Sequence, residues 1–179
     1  IRAHNFKVLC PRLLDPETGH PLMDFFLSLK RKELGYFDFN CFLGGAHIFS
    51  RDAIRKVGLY DERLGIGAEF PAAEESDYFF RLKKIRERVV YCPELVAYHG
   101  LVKEQAPKKV FDYSYGISAV LMKNMLNDYR HWPYYFLIVS RRICVSAARS
   151  IQYVFFPKSI EEKNKKYAYK YFFLGTACG

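Results

Sequence analysis

Gly44-Gly45-Ala46-His47-Ile48-Phe49-Ser50-Arg51 leads to Gly58-Leu59-Tyr60-Asp61-Glu62-Arg63-Leu64-Gly65, and then to Glu74-Glu75-Ser76-Asp77-Tyr78-Phe79-Phe80-Arg81. The order of parts decides the fold. A glycine-rich apolar strand gives way to a short helix over 51–57, which Ser50 caps and Gly58 ends. The loop over 61–73 holds Gly65, Gly67 and Pro71 and is long enough to be functional. Three acids then open a second helix, predicted from residue 74 to about residue 86.

Working outward, residues 6–14 read as a strand ended by the turn Asp15-Pro16-Glu17-Thr18-Gly19. Residues 21–32 cluster Leu22, Met23, Phe25, Phe26, Leu27 and Leu29, as in a short helix or a loop lying over the site. The aromatic, continuously apolar run 36–49 predicts a buried strand pair. Residues 89–99 read as a strand broken by Pro93. This alternation of strands and helices predicts an α/β domain.

The chain has 179 residues, half of them apolar and 17% aromatic, which suits a packed core and excludes global disorder. Its net charge of +9 is unevenly placed. Residues 1–100 hold 15 Lys/Arg against 14 Asp/Glu, whereas residues 101–179 hold 13 against 5. The basic, aromatic tail predicts an anionic partner, membrane lipid or nucleic acid. Residues 108–127 read as a helix. Residues 134–156 are strongly apolar, but Arg141, Arg142 and Arg149 make a simple membrane span unfavourable at roughly 2.5–3.5 kcal/mol each. Arg142, Ser146, Arg149 and Tyr153 share one helical face. Two readings follow: an interfacial helix with Trp132, Tyr134 and Tyr135 at headgroup level, or a helix packed on the catalytic domain. Five scattered cysteines with no Cys-x-x-Cys pair argue against a zinc site or disulfide framework and for a reducing compartment.

Glu74, Glu75 and Asp77 have an ordinary role available, since acids in a first helical turn complement the helix dipole and the free amides. Three acids in four residues exceed what capping requires, and they follow a Gly/Pro loop of the kind that carries sites. Taking a proton from a hydroxyl needs a base that is ionised near neutral pH. A helix N-terminus favours ionisation, while burial and a neighbouring acid oppose it, which can leave one carboxylate poised.

In order and separation these motifs resemble the acceptor-side half of family 2 (inverting, GT-A-like) glycosyltransferases. The resemblance spans about residues 36–100, with Tyr115-Gly116 and the basic tail echoing membrane-associated members. It implies a partial GT-A-like α/β domain over 1–105, followed by a helical, membrane-proximal tail over 106–179. By that resemblance Glu74 matches the first acid of the family's pair and Glu75 the catalytic base, with Glu standing where Asp is commoner. Asp77 and Arg81 match the later acid and arginine, and Gly44, Gly45 and Ala46 match a segment lining the acceptor pocket. Asp61-Glu62 matches a turn whose side chains bond loop amides. His99 matches a residue that can face the diphosphate and help hold a divalent cation; His4, His20, His47 and His131 are assigned nothing.

The resemblance further implies a nucleotide-sugar donor, Mg²⁺ or Mn²⁺, and a saccharide or lipid-linked acceptor. It suggests a cytoplasmic place, peripheral at the inner face of the cell membrane. No Asp-x-Asp occurs in the sequence, so the donor half is expected upstream of Ile1 in a longer protein, without which the fragment would be inactive. Two other readings are a scaffold that kept the fold and lost the donor site, and a nucleic-acid-binding module. The second is disfavoured because zinc patterns and aromatic–glycine RNA-binding signatures are missing.

Overall fold

Val8, Cys10, Leu13 and Leu14 are buried along one strand, and Val89 to Cys92 along another, as expected of parallel strands covered on both faces. The computed structural model describes residues 7–42, 46–100 and 107–155. Strands β1 (Val8–Leu14), β2 (Lys32–Glu33), β3 (Ile48–Phe49) and β4 (Val89–Tyr98) form one mixed sheet in the order β2-β4-β1-β3. β1 and β4 pair in parallel, and the short β2 and β3 are antiparallel edges. The helices are α1 (Arg51–Val57), α2 (Glu74–Lys84), α3 (Pro107–Asn127) and α4 (Trp132–Phe155). The protein is therefore a mixed α/β fold.

Local chemistry explains most boundaries. The Ser50 hydroxyl accepts from the Ala53 amide at 3.1 Å, capping α1, and Gly58 closes it at φ 84°. Pro93 does not break β4. Pro11 pairs with Cys92 and Arg12 with Val96, so Pro93, Glu94 and Leu95 bulge out of the ladder, where a missing N–H costs nothing.

The run 36–49 differs from the predicted strand pair. Tyr36–Cys41 forms a 3₁₀ turn, and only Ile48–Phe49 is strand. The Asp38 carboxylate accepts from the Gly35 amide at 2.8 Å and from Lys32 Nζ at 3.0 Å, which winds the segment. That winding still buries Phe39 and Phe42, but against α2: Phe39 meets Phe80 at 5.2 Å and Phe42 meets Phe79 at 5.3 Å between ring centroids. An apolar run satisfies a strand or a buried turn equally well, and here the local acid decides. Residues 21–32 likewise hold a short 3₁₀ turn, Asp24–Leu27, before β2 begins at Lys32.

α3 and α4 complete the same core. Val120, Leu121, Tyr135 and Ile138 join the cluster that includes Val8, Phe79, Phe80 and Tyr91. Of the three aromatics expected at headgroup level, Tyr135 is instead fully buried, its ring edge-on to Phe80 at 5.4 Å and its hydroxyl donating to Asp128 at 3.2 Å. Tyr134 stacks on Tyr36 at 4.9 Å but stays partly open, and Trp132 is exposed. The side chains of Ser146, Arg149 and Tyr153 lie outside the described residues. Among those described, no helix is long and apolar enough to cross a membrane.

Candidate functional site

The start of α2 is built unusually. Its N-cap is Ala73, in the left-handed region at φ 76° and ψ 18°, with no side-chain cap. A residue with a Cβ pays about 1–2 kcal/mol to sit there, and the core fixes it, since Ala73 is buried. This turn presents Glu74 and Glu75 together. Gly65 lies against the first of them, where a Cβ would come 3.3 Å from Glu74 Cδ, and its φ of 110° is a conformation that favours glycine.

Glu75 is the perturbed acid. Burial and then the Glu74 charge push its pKa up to about 7, against a smaller opposing pull from its own backbone amide. Two phenols share its surroundings. Tyr60 from the loop is pushed up to about 12, mainly by burial and next by the Glu75 charge. Tyr113 from α3 is raised by burial and then by the same carboxylate. Tyr60 also stacks on Tyr78 at 4.5 Å, which fixes the ring beside the helix start.

Asp77 has a different fate. It is fully buried; one oxygen accepts from Arg81 Nε at 2.9 Å and the other from Lys123 Nζ at 2.8 Å. Lys123 also donates to Asp61 at 2.8 Å, and Asp61 is held in turn by the Arg63 amide and guanidinium. The guanidinium of Arg81 reaches back to the Val57 carbonyl at 2.9 Å and lies 4.8 Å over the Tyr78 ring. The network ties α1, the 61–73 loop, α2 and α3 together. Asp77 keeps no exposed atom to offer a ligand, and its place is to fix the helix that carries Glu75. Asp61 bonds its own loop, as its turn motif suggested. Lys123 was not singled out in the sequence, although a lone lysine in the apolar stretch over 117–126 is the available signal.

Between the loop and α3 lies a cavity of about 180 Å³ lined by Asp61, Arg63, Leu64, Phe70, Ala119, Val120 and Lys123. Gly44 and Gly45 lie outside the described residues, and Ala46 packs partly buried against the core. His47 stacks on Phe42 at 3.7 Å, and burial lowers its pKa to about 4, so it sits neutral as a packing residue. His99 is exposed at the end of β4, its amide bonded to the Leu14 carbonyl at 2.9 Å. Among the described residues no three His, Cys, Asp or Glu side chains gather as a metal site. A single histidine does not make one.

The site depends on one close approach. A Cβ added at Gly116 would fall 2.4 Å from the Ala72 carbonyl oxygen and 2.8 Å from its carbon, both backbone. Gly116→Ala must therefore push α3 away from the turn that precedes Glu74. The expected cost is about 1–3 kcal/mol, seen as a fall of roughly 2–10 °C in Tm for a chain of this size. An unchanged Tm would mean that the two segments do not meet.

Comparison with family models, with characterised proteins and with solved structures gives no match.

Proposed function

We propose that this chain is the acceptor-side part of an inverting, GT-A-like glycosyltransferase in which Glu75 is the general base. The observation that carries the reading is the Glu75 environment: a carboxylate at a strained helix start, raised to about 7 by burial and by Glu74. A base is most effective when its pKa lies near the working pH. The mixed sheet and the loop–helix order around Glu75 are compatible with such a domain.

In this reading the acceptor hydroxyl, of a saccharide or a lipid-linked saccharide, lies within hydrogen-bond reach of Glu75. The carboxylate takes the hydroxyl proton as the oxygen attacks the anomeric carbon of a nucleotide-sugar. The new C–O bond forms, the bond to the diphosphate breaks, and the nucleoside diphosphate departs with the pair of electrons. Tyr60 and Tyr113 lie close enough to feel the charge of the carboxylate, and the Asp77–Lys123–Asp61 bridge ties the loop to the helix that carries it. Mg²⁺ or Mn²⁺, when bound with the donor, would supply charge to the leaving diphosphate.

The test is nucleotide-sugar turnover by the full-length protein and its Glu75→Gln variant, with and without Mn²⁺. Turnover in the wild type, lost in the variant while donor binding persists, supports the reading. Equal turnover in both reduces Glu75 to a helix-start acid. No turnover by either across common donors favours a scaffold without activity.

A further inference from the structure

The outward face of α4 is apolar where a surface helix is usually polar. Tyr135 and Ile138 face the core, whereas Phe136 (63% exposed), Leu137 (53%) and Ile143 (63%) face away from it. Exposed Trp132 donates its indole N–H to the Met125 carbonyl near the end of α3, where Leu126 and Tyr129 are also exposed. None of the described residues covers these side chains, and a contiguous exposed apolar patch marks an interaction site.

Charge identifies the partner. From residue 129 to residue 160 the sequence contains Arg130, Arg141, Arg142, Arg149 and Lys158 and not one Asp or Glu. Arg130 and Arg141 are exposed on the described part of this stretch. An acid-free, cationic helix with an apolar outer face and a Trp/Tyr cluster at one end has the composition of a segment lying in a bilayer interface. It is too interrupted by arginine to span the bilayer, in line with the lack of a spanning helix among the described residues.

We infer that the outer face of α4, continued by the end of α3, docks the protein onto an anionic lipid surface. Phe136, Leu137 and Ile143 enter the headgroup boundary, and exposed Arg130 and Arg141 face lipid phosphates and carboxylates. The inference does not depend on the transferase reading: a peripheral protein of any activity could use this face. Combined with that reading, it would bring the Glu75 site to an acceptor carried by lipid.

The experiment is flotation of the protein with vesicles of phosphatidylcholine alone, or with about one-third phosphatidylglycerol, at two salt concentrations. The double variant Phe136→Glu/Leu137→Glu is compared, with near-UV circular dichroism to check its fold. Because both side chains are more than half exposed, the variant is expected to fold. Binding to the anionic vesicles that weakens with salt, and falls about tenfold or more in the variant, is the expected result. The inference is overturned if the wild type ignores anionic vesicles or if the folded variant binds as well. It is equally overturned if the face proves to hold a second copy, with a wild-type dimer, a monomeric variant and no vesicle binding. None of these results alters nucleotide-sugar turnover in detergent, so failure here and failure of the transferase reading are separable.

Discussion

Glu75→Gln is expected to abolish sugar transfer and, above neutral pH, to make the protein more stable. The first effect follows from removing the proton acceptor while keeping the shape. General-base catalysis contributes roughly 10²–10⁴-fold, so kcat should fall by about that factor with little change in donor affinity. The second follows from linkage. Glu75 titrates near 4.5 when unfolded and near 7 when folded, so the folded state holds the proton more tightly. Its stabilising contribution is fully present below about 4.5 and is lost as pH rises through about 7. At pH 8 the wild type carries the ionised, partly buried carboxylate, at a cost of up to about 3 kcal/mol relative to pH 4. Glutamine is never ionised and avoids that cost. The denaturation midpoints of the two proteins should converge near pH 4 and separate by pH 8, with the variant higher. An acid retained at the expense of stability is what a functional residue looks like. Parallel midpoints at all pH values would show that the site does not strain Glu75.

Lys123→Met should be the most damaging change to the framework around the site. The methionine fills the same path but leaves Asp77, fully buried, with Arg81 as its remaining hydrogen-bonded cation among the described residues, and frees the Asp61 loop from α2. Removing one partner of a buried charge pair costs about 3–5 kcal/mol. Because Lys123 is about one-third exposed and each acid keeps a second donor, about 2–3 kcal/mol is expected by urea unfolding at pH 7, after discounting for that exposure. The pH dependence has the opposite sense to that of Glu75. Arg63 first, and Lys123 next, hold Asp61 well below the usual carboxylate range. The stability they confer is present above the ordinary Asp value of 3.8 and is lost as pH falls through the lower folded value. The gap between wild type and variant should therefore be widest near neutrality and shrink below about pH 3. Lys123→Arg, which keeps the charge, should recover part of it. An unchanged midpoint in the methionine variant would mean that the bridge carries no weight.

How much of this was legible before the structure depends on how local each determinant is. Ser50 and Gly58 bound α1 by chemistry within a few residues, and the acids of 74–77 mark the start of α2 in the same way. The aromatic segment over 36–49 did not yield, because hydrophobicity reports burial without saying which backbone provides it. The Gly35–Asp38 contact, which winds the turn, looks like nothing in particular in a linear reading. Pro93 pointed to a break because the sequence does not reveal that β1 leaves room for a bulge opposite it. Tyr135 and Phe136 are adjacent aromatics with opposite fates, set by the Phe80 ring on another helix. In the site, Glu75 was visible as an acid of the right type, but its raised pKa arises from packing. Lys123 joins acids 62 and 46 positions away in sequence, a closure that no local pattern announces.

The most direct test of the central claim, that Glu75 is a poised base, is the titration of its own carboxyl carbon by NMR. The protein would be labelled at glutamate Cδ, and the resonance assigned by its loss in Glu75→Gln. The account predicts a midpoint near 7, well separated from the other glutamates. A midpoint near 4.5 would contradict it, leaving Glu75 an ordinary acid at the head of a helix.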